Sequence, residues 1–310
     1  MIYPTICIFT YNRPKHFEKC LLSLLKNKEF SKCKVHVFKD IEIKKNFQVD
    51  LGYKKIFKKF NYLKNLKITN RKKNFGLKKN LISGISKCLK KNNTIIVCED
   101  DLLFSKYFLK YMINNLNKYA NDKQVSSISG FSFNYKNQFK FFDDEYFLKF
   151  TNSWGWATWS DRWNNFTKNK LNKYKLELYK NKNIQMEFNY DNAQPHTKWL
   201  KKSDEGNLSS WNIQWEFYCF SKNLLTLFPK YTFVKNNGLD GTGSHFGKIK
   251  SNYQEIYENN SRKLLFKNKI KIIEKIKNRK IISNNLRKTL ISRIENKLSM
   301  YINKIINFMK

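Results

Sequence analysis

Four β-rich runs alternate with helical stretches over the first hundred residues: TICIFTYN, KVHVFKD, KNLKITN and NTIIVCEDD. Between them lie helical spacing at Phe17, Cys20, Leu21, Leu24 and Leu25, a basic helical stretch, and a second periodic run from Phe75 to Leu89. Strand–helix alternation with short turns predicts an α/β chain, its mostly parallel sheet flanked by helices on both faces. Ligands of such sheets gather at the carboxyl ends of the strands. Three polar signals fall there: Asn12-Arg13, Asp40 and Glu99-Asp100-Asp101. That coincidence marks one edge of the sheet as the candidate site.

The rest of the chain is less regular. A helix is expected over Ser105 to Tyr119, from Phe108, Leu109, Met112 and Leu116, followed by a strand in QVSSISGFSF. Next come an aromatic segment, TNSWGWATWSDRW, and a weakly helical stretch at 164–205 rich in lysine and asparagine. WNIQWEFYCFSKNLLTLFP reads as a helix running into a turn at Pro229, and NNGLDGTGSHFG as a loop. From about Ser251 isoleucine and leucine recur at three- and four-residue spacing with cations between them. The expected organisation is a domain over 1–250 and a basic amphipathic helical C-terminal tail over 251–310. Such a tail suits a surface helix packed on the domain and equally an interfacial helix on anionic lipid.

Composition narrows the function classes. Of 310 residues 41% are hydrophobic and 16% aromatic, enough for a large core and far from disorder. The formal charge of +37 admits a nucleic-acid or acidic-surface partner. The joint abundance of Lys, Asn, Ile, Phe and Tyr also gives it a compositional origin. Cys7, Cys20, Cys33, Cys88, Cys98 and Cys219 are scattered without paired spacing, which argues against zinc and disulfide frameworks and for reduced thiols. No basic leader opens the chain and no apolar run approaches the roughly 20 residues of a spanning helix. The expected location is cytoplasmic, peripheral on an inner membrane.

The acids of NTIIVCEDD suit a particular chemistry. Mg²⁺ and Mn²⁺ take hard oxygen ligands and leave positions open for substrate phosphates. One or two carboxylates at a strand end facing a diphosphate would let the ion neutralise a departing nucleoside diphosphate. A solvated turn capping the next helix is the plain alternative.

The order TYNRP, an Asp ending the second strand, R-x-x-N-x-G, EDD, then a Trp-rich segment resembles bacterial glycosyltransferases of the GT-A fold, in particular N-acetylglucosaminyltransferase I-like and family-2-like sugar transferases. The resemblance covers about residues 1–248. It implies a sugar transferase of the hexosyl or N-acetylhexosaminyl class, inverting and divalent-metal dependent. A nucleotide-sugar donor, first a UDP-sugar, and a glycan or lipid-linked acceptor in lipopolysaccharide, lipooligosaccharide or capsule synthesis are implied with it. It places Thr10, Tyr11 and Arg13 beside the nucleotide, Asp40 on the base or ribose, and Arg71, Asn74 and Gly76 near the donor. It makes Asp101 and Glu99 metal ligands and puts Asp100 on the donor sugar or ribose. His245 is expected to return to the diphosphate or its metal, with Asp240 in the same loop serving the acceptor. Trp154 and Trp156 are expected to border the acceptor pocket.

The catalytic base is where the chain departs from its relatives. Their acids lie in a Trp-Asp-Asp-Trp stretch, and the matching Trp211-Asn212-Ile213-Gln214-Trp215-Glu216 lacks both aspartates. Glu216 is the nearest carboxylate, with Asp161, Asp204 and Glu205 open. Two other classes compete. A nucleic-acid-binding protein would use the lysines but shows no recognition motif, so no nucleic-acid partner is expected. A nucleotidyltransferase could use the same acids but lacks a glycine- and lysine-rich phosphate loop. The basic tail would hold a transferase near an anionic membrane.

Overall fold

The computed structural model describes residues 2–43, 46–133, 142–169, 171–238, 256, 262, 265 and 268–287. Its first half is the parallel unit that the alternation predicts. Strands β1 (Thr5–Thr10), β2 (Lys34–Lys39), β3 (Leu66–Asn70) and β4 (Thr94–Glu99) are all parallel, in the order β3-β2-β1-β4. β1 and β4 lie inside the sheet and are buried on both faces, which is why they read as continuous apolar runs. β3 is an edge strand and keeps Lys67 in solvent, a charge that discourages pairing with another chain.

Helix α1 (Pro14–Leu25) begins on a proline, whose missing N–H would have no helical partner there, and buries Phe17, Cys20, Leu21 and Leu24. Asn46 caps α2 (Phe47–Lys59) by accepting from the N–H groups of Gln48 and Val49, and Lys58 and Lys59 close its last turn. Tyr53 and Ile56 of α2 join α1 on one face of the sheet. Leu81, Ile85, Cys88 and Leu89 of α3 (Gly76–Leu89) pack on the other.

The second half is mixed. β8 (Trp156–Trp159) lies antiparallel between β4 and β6 (Val125–Ser129). Beyond it, β9 (Leu225–Pro229) runs parallel to β6, and β7 (Glu145–Leu148) closes the far edge antiparallel to β9. α4 (Phe108–Lys118) and α5 (Ser160–Lys168) flank this half. A small helical unit of α6 (Asn172–Lys180), α7 (Lys182–Phe188), α8 (His196–Asp204) and α9 (Asn212–Ser221) surrounds Leu178, Phe188, Leu200, Ile213 and Phe217. A separate ribbon pairs β5 (Leu102–Phe104) with β10 (Val234–Asn236).

Two features differ from the sequence reading. The run LTLFP is a buried strand, β9, and not a turn, because its place between β6 and β7 pairs its backbone on both sides. The aromatic segment supplies β8 and opens α5.

Within the tail, residues 276–287 are helical, and Glu274 bridges β7 at Phe147. Ile282 is fully buried among Phe131, Tyr146, Leu148, Tyr190 and Phe228. Glu274 accepts from the Lys149 N–H (2.9 Å), the Tyr190 hydroxyl (3.1 Å) and Arg279 (3.1 Å), while Arg279 also pairs with Asp191 at 2.9 Å. Of the two placements open for the tail, residues 268–287 take the packed one. Residues 288–310 lie outside the described residues. Among the described residues no helix is long and apolar enough to cross a membrane, and all six cysteines are buried and free.

Candidate active site

The carboxyl ends of β1 and β4 are adjacent strand ends, and the hydrogen bond from the Asp100 N–H to the Phe9 carbonyl (3.0 Å) extends their ladder one step past the strand. This sets Thr10 against Asp100. The Thr10 hydroxyl donates to Asp100 Oδ2 at 2.8 Å, the Tyr11 N–H donates to the same oxygen at 3.3 Å, and Arg13 Nη2 reaches Asp100 Oδ1 at 2.7 Å. With the Thr10 proton committed to the carboxylate, the Tyr53 hydroxyl is left to donate to Thr10 Oγ1. Arg13 Nη2 also reaches Asp101 Oδ2 at 3.0 Å. One guanidinium thus bridges both aspartates.

Asp100 is therefore buried with both oxygens engaged by the protein. Within the protein it holds Thr10, Tyr11 and Arg13. Burial raises its carboxyl above the usual range, and Arg13 opposes that rise. Burial, reinforced by Asp101 and Asp100, pushes the Glu99 carboxyl up to about 8. Two aspartates and one glutamate thus share a single arginine, and Glu99 takes up a proton where a further cation would serve. Burial works against the Arg13 charge, but the two aspartates outweigh it.

The site has a roof. β10 brings the chain back over β5, and the Asn237 N–H donates to the Asp101 carbonyl at 2.7 Å. A Cβ on Gly238 would lie 2.3 Å from Asp101 Oδ2 and 2.9 Å from Arg13 Nη1, so only glycine lets the backbone pass. Arg13 Nη1 is buried and has no hydrogen-bond partner among the described residues. Sequence reasoning missed Tyr53, and it read Gly238 only as one of four glycines, with Gly241, Gly243 and Gly247, of a loop that can fold over a ligand. The signal for Gly238 was its place in a glycine-rich loop; Tyr53 gave none beyond a buried helical position.

A second cluster sits beside the first, at the end of β2. Asp40 is buried and accepts from the N–H groups of Ile41 (3.0 Å) and Phe75 (3.0 Å), clamping the turn into α3. Asn74 donates to the Ile41 carbonyl, and Gly76 takes the left-handed φ of +67°. Arg71 stacks over Phe75 and Phe38 and donates to Asn80 (2.8 Å) and Ser83 (2.8 Å). Asp40 and Arg71, expected on the donor, are engaged as internal clamps of this turn. The Asp40 N–H to Thr10 carbonyl bond (2.9 Å) and the Ile43 N–H to Tyr11 hydroxyl bond (3.3 Å) join the clusters.

The aromatic residues divide. The β4–β8 ladder ends at Val97 opposite Trp156, so Glu99 and Trp154 leave it from the same end. Trp154 is partly buried, edge-on to Phe131 at 5.1 Å. Trp156 is 1% exposed, stacked on Trp211 at 5.3 Å and packed on Trp163 and Trp215. That corrects the acceptor reading of Trp156: its ring is core. Glu216 is 4% exposed, and its Oε2 accepts from both the N–H and the hydroxyl of Thr151. Burial pushes its carboxyl up to about 7. Asp161 pairs with Lys123 and Arg162, and Asp204 with Lys175. His245 and Asp240 lie outside the described residues.

A family model described as Glycosyl transferase family 2 matches residues 5–189, more than half of the chain and all of the cluster except Gly238. The chain belongs to glycosyl transferase family 2. The mixed sheet with its helix-covered parallel half is the GT-A arrangement. No curated protein matches the sequence. Solved glycosyltransferases resemble this family 2 chain at low identity. S. aureus TarS 1–349 gives 14% identity over 77% of this chain and 62% of that one, with a TM-score of 0.44. Mannosyltransferase PcManGT from Pyrobaculum calidifontis, in complex with GDP-Man and Mn²⁺, gives 10% over 71% and 74%, with a TM-score of 0.38. GalNAc-T7 with UDP, GalNAc and Mn²⁺ gives 9% over 53% and 37%, with a TM-score of 0.39. The chain spans less than two-thirds of the TarS chains it matches.

The donor set at the family 2 site consists of carboxylate oxygens, which suit a hard divalent cation. Among the described residues no three His, Cys, Asp or Glu side chains converge as a metal cage. An ion here would take one or two carboxylates, Asp101 and Glu99, and fill its sphere with phosphate oxygens and water. The three acids facing the single cation Arg13 fit such an ion.

Proposed function

We propose that the chain transfers a sugar from a nucleotide-sugar donor, first a UDP-sugar, to a glycan or lipid-linked acceptor, with the diphosphate lying beside Arg13 and Asp101. The observation that supports this most is the bridge from Arg13 to Asp100 and Asp101 at the carboxyl edge of a family 2 sheet. Arg13 offers the incoming diphosphate a buried N–H with no other partner among the described residues. Asp100 fixes that guanidinium and the Tyr11 backbone, so neither has to reorganise as charge develops. Gly238 lets the backbone close on the site and keep water from it. The nucleotide runs from Tyr11 toward Asn74 and Gly76, along the turn that Asp40 clamps. Mn²⁺ or Mg²⁺ held by Asp101 and Glu99 would act as a Lewis acid on the departing diphosphate. Trp154 borders the acceptor side. The acceptor belongs to a bacterial surface polysaccharide such as lipopolysaccharide, lipooligosaccharide or capsule, a reading supported by the sequence resemblance alone.

Donor hydrolysis over a panel of nucleotide-sugars, with and without Mn²⁺, tests the assignment. Asp101→Ala is expected to lower metal-dependent turnover at least about 100-fold, the scale of losing one electrostatic stabiliser, with an unchanged circular-dichroism spectrum. Full metal-dependent turnover in that variant sinks the site.

A further inference from the structure

Residues 51–98 contain thirteen lysines and one arginine and not one aspartate or glutamate. The fold spreads this acid-free stretch over the parallel half of the sheet, from the β3 edge to β4 in its middle. β3 is the edge of the sheet, and most of α2 covers one face beside it while α3 covers the other. Lys54, Lys55, Lys67, Lys72, Lys73 and Lys79 are all exposed there. The acids on and beside these elements are Glu18, which pairs with Lys59 at 2.7 Å, and Asp50 of α2 and Glu42, which share Lys39 at 3.3 and 3.7 Å. Composition bias explains many lysines but not the missing acids, since aspartate and glutamate number 24 in the whole chain. Cations outnumber acids at this edge.

The same edge exposes large apolar side chains where it meets the active site. Ile43 is 81% exposed, Phe47 73% and Leu77 38%. All three follow the carboxyl ends of β2 and β3, and the Ile43 N–H bonds the Tyr11 hydroxyl of the site. Exposed aliphatic groups offer nothing to a phosphate backbone or a base edge. Beside a field of cations they match the boundary of an anionic bilayer, where charge draws the surface in and apolar groups enter between headgroups.

We propose that the α2–β3–α3 edge docks on an anionic lipid bilayer, with Ile43, Phe47 and Leu77 entering the headgroup layer and the mouth of the active site held beside it. This surface is separate from the basic tail, whose residues 268–287 pack on the domain, and its binding does not depend on the transfer reaction. Each cation near such a surface contributes about fivefold to partitioning, and salt screens the attraction.

The test is sedimentation of the full chain with phosphatidylglycerol-containing and with purely phosphatidylcholine vesicles at about 0.1 M salt. Lys54→Glu/Lys55→Glu/Lys67→Glu is expected to lose at least tenfold in affinity for the anionic vesicles. Lys198→Glu/Lys201→Glu/Lys202→Glu on α8, an equal change in net charge, is expected to stay within twofold. Ile43→Ser/Phe47→Ser keeps the charge and is expected to lose several-fold. Equal losses in both lysine variants, or no loss in the first, overturn the proposal. So does a short RNA that binds more tightly than vesicles and loses that binding in the first variant.

Discussion

The two halves of the sheet use their polar and aromatic residues in opposite ways. In the parallel half, polar side chains converge at strand ends, partly open, around a charge excess that one arginine only part-compensates. In the mixed half, the tryptophans and carboxylates that look most chemical in the sequence are drawn inside. Trp156, Trp163 and Trp215 pack together with tilted rings, and Glu216 is closed over by Thr151. A parallel strand delivers its last residue to one shared edge whatever surrounds it. An antiparallel strand in the middle of the sheet, such as β8, delivers its side chains to the two packed faces. Changes in the first half should therefore strike ligand binding more than folding, and changes in the second should strike folding first.

The largest effect that separates the halves is Trp156→Ala. Removing a buried indole from the tryptophan cluster should cost about 3–5 kcal/mol, seen as a large fall in the urea midpoint with unchanged m-value. A variant that kept its midpoint and instead lost acceptor affinity would move Trp156 to the acceptor and break the comparison. Ile282→Ala follows at about 2–4 kcal/mol, because its side chain fills the third core from the tail helix. An unchanged midpoint there would show that residues 276–287 are an appendage rather than part of the fold.

Glu216→Gln sharpens the contrast through pH. Burial holds the Glu216 carboxyl near 7 in the folded protein, against about 4.3 when unfolded. Between these values the folded state binds a proton that the unfolded state lacks. Stability is therefore fully present below about pH 4, falls as pH rises, and levels off above 7. The total loss is about 4 kcal/mol. Glutamine should flatten this slope in chemical unfolding measured from pH 4.5 to 8, relative to the parent. If turnover vanished while the slope stayed, Glu216 would be the base and the second half would hold chemistry after all.

The same difference explains what could be read in advance. The runs TICIFT, KVHVFK and TIIVCE announced the mostly parallel sheet because each is a β-rich stretch of six residues that alternates with helical spacing and short turns. The acids after Val97-Cys98 were legible because topology alone puts them at the edge. β5, β7 and β8, of three or four residues, are too short to show a period. Trp154 and Trp156 are two apart, so a strand sends them to opposite faces, and nothing local says which face is core. Gly238 was invisible in its role because its contact with Asp101 depends on the pairing of β10 with β5, more than a hundred residues apart. The base stayed open because neither acid of the expected motif is present and the nearest carboxylate is buried.

The smallest effect concerns Arg13, and it asks whether the first half is a metal site held shut by its own cation. Arg13 Nη2 bonds the Asp101 oxygen that a divalent ion would also use. Ion and guanidinium therefore compete until a diphosphate offers Arg13 another anion. Arg13→Gln keeps a donor of shorter reach and removes the charge. It should bind Mn²⁺ more tightly in the absence of donor, by about tenfold or about 1.4 kcal/mol, in calorimetric titration. The same variant should melt at a lower temperature without metal, because Asp100 is left buried with less compensation, and should recover more than the parent when Mn²⁺ is added. Tighter metal binding with weaker UDP binding would make Arg13 the group that exchanges the acids for the diphosphate. Metal binding that weakened in step with the loss of Arg13 would instead make the arginine part of the scaffold that holds Asp101 in place, and the division between ligand-binding and folding residues would then run through the first half as well.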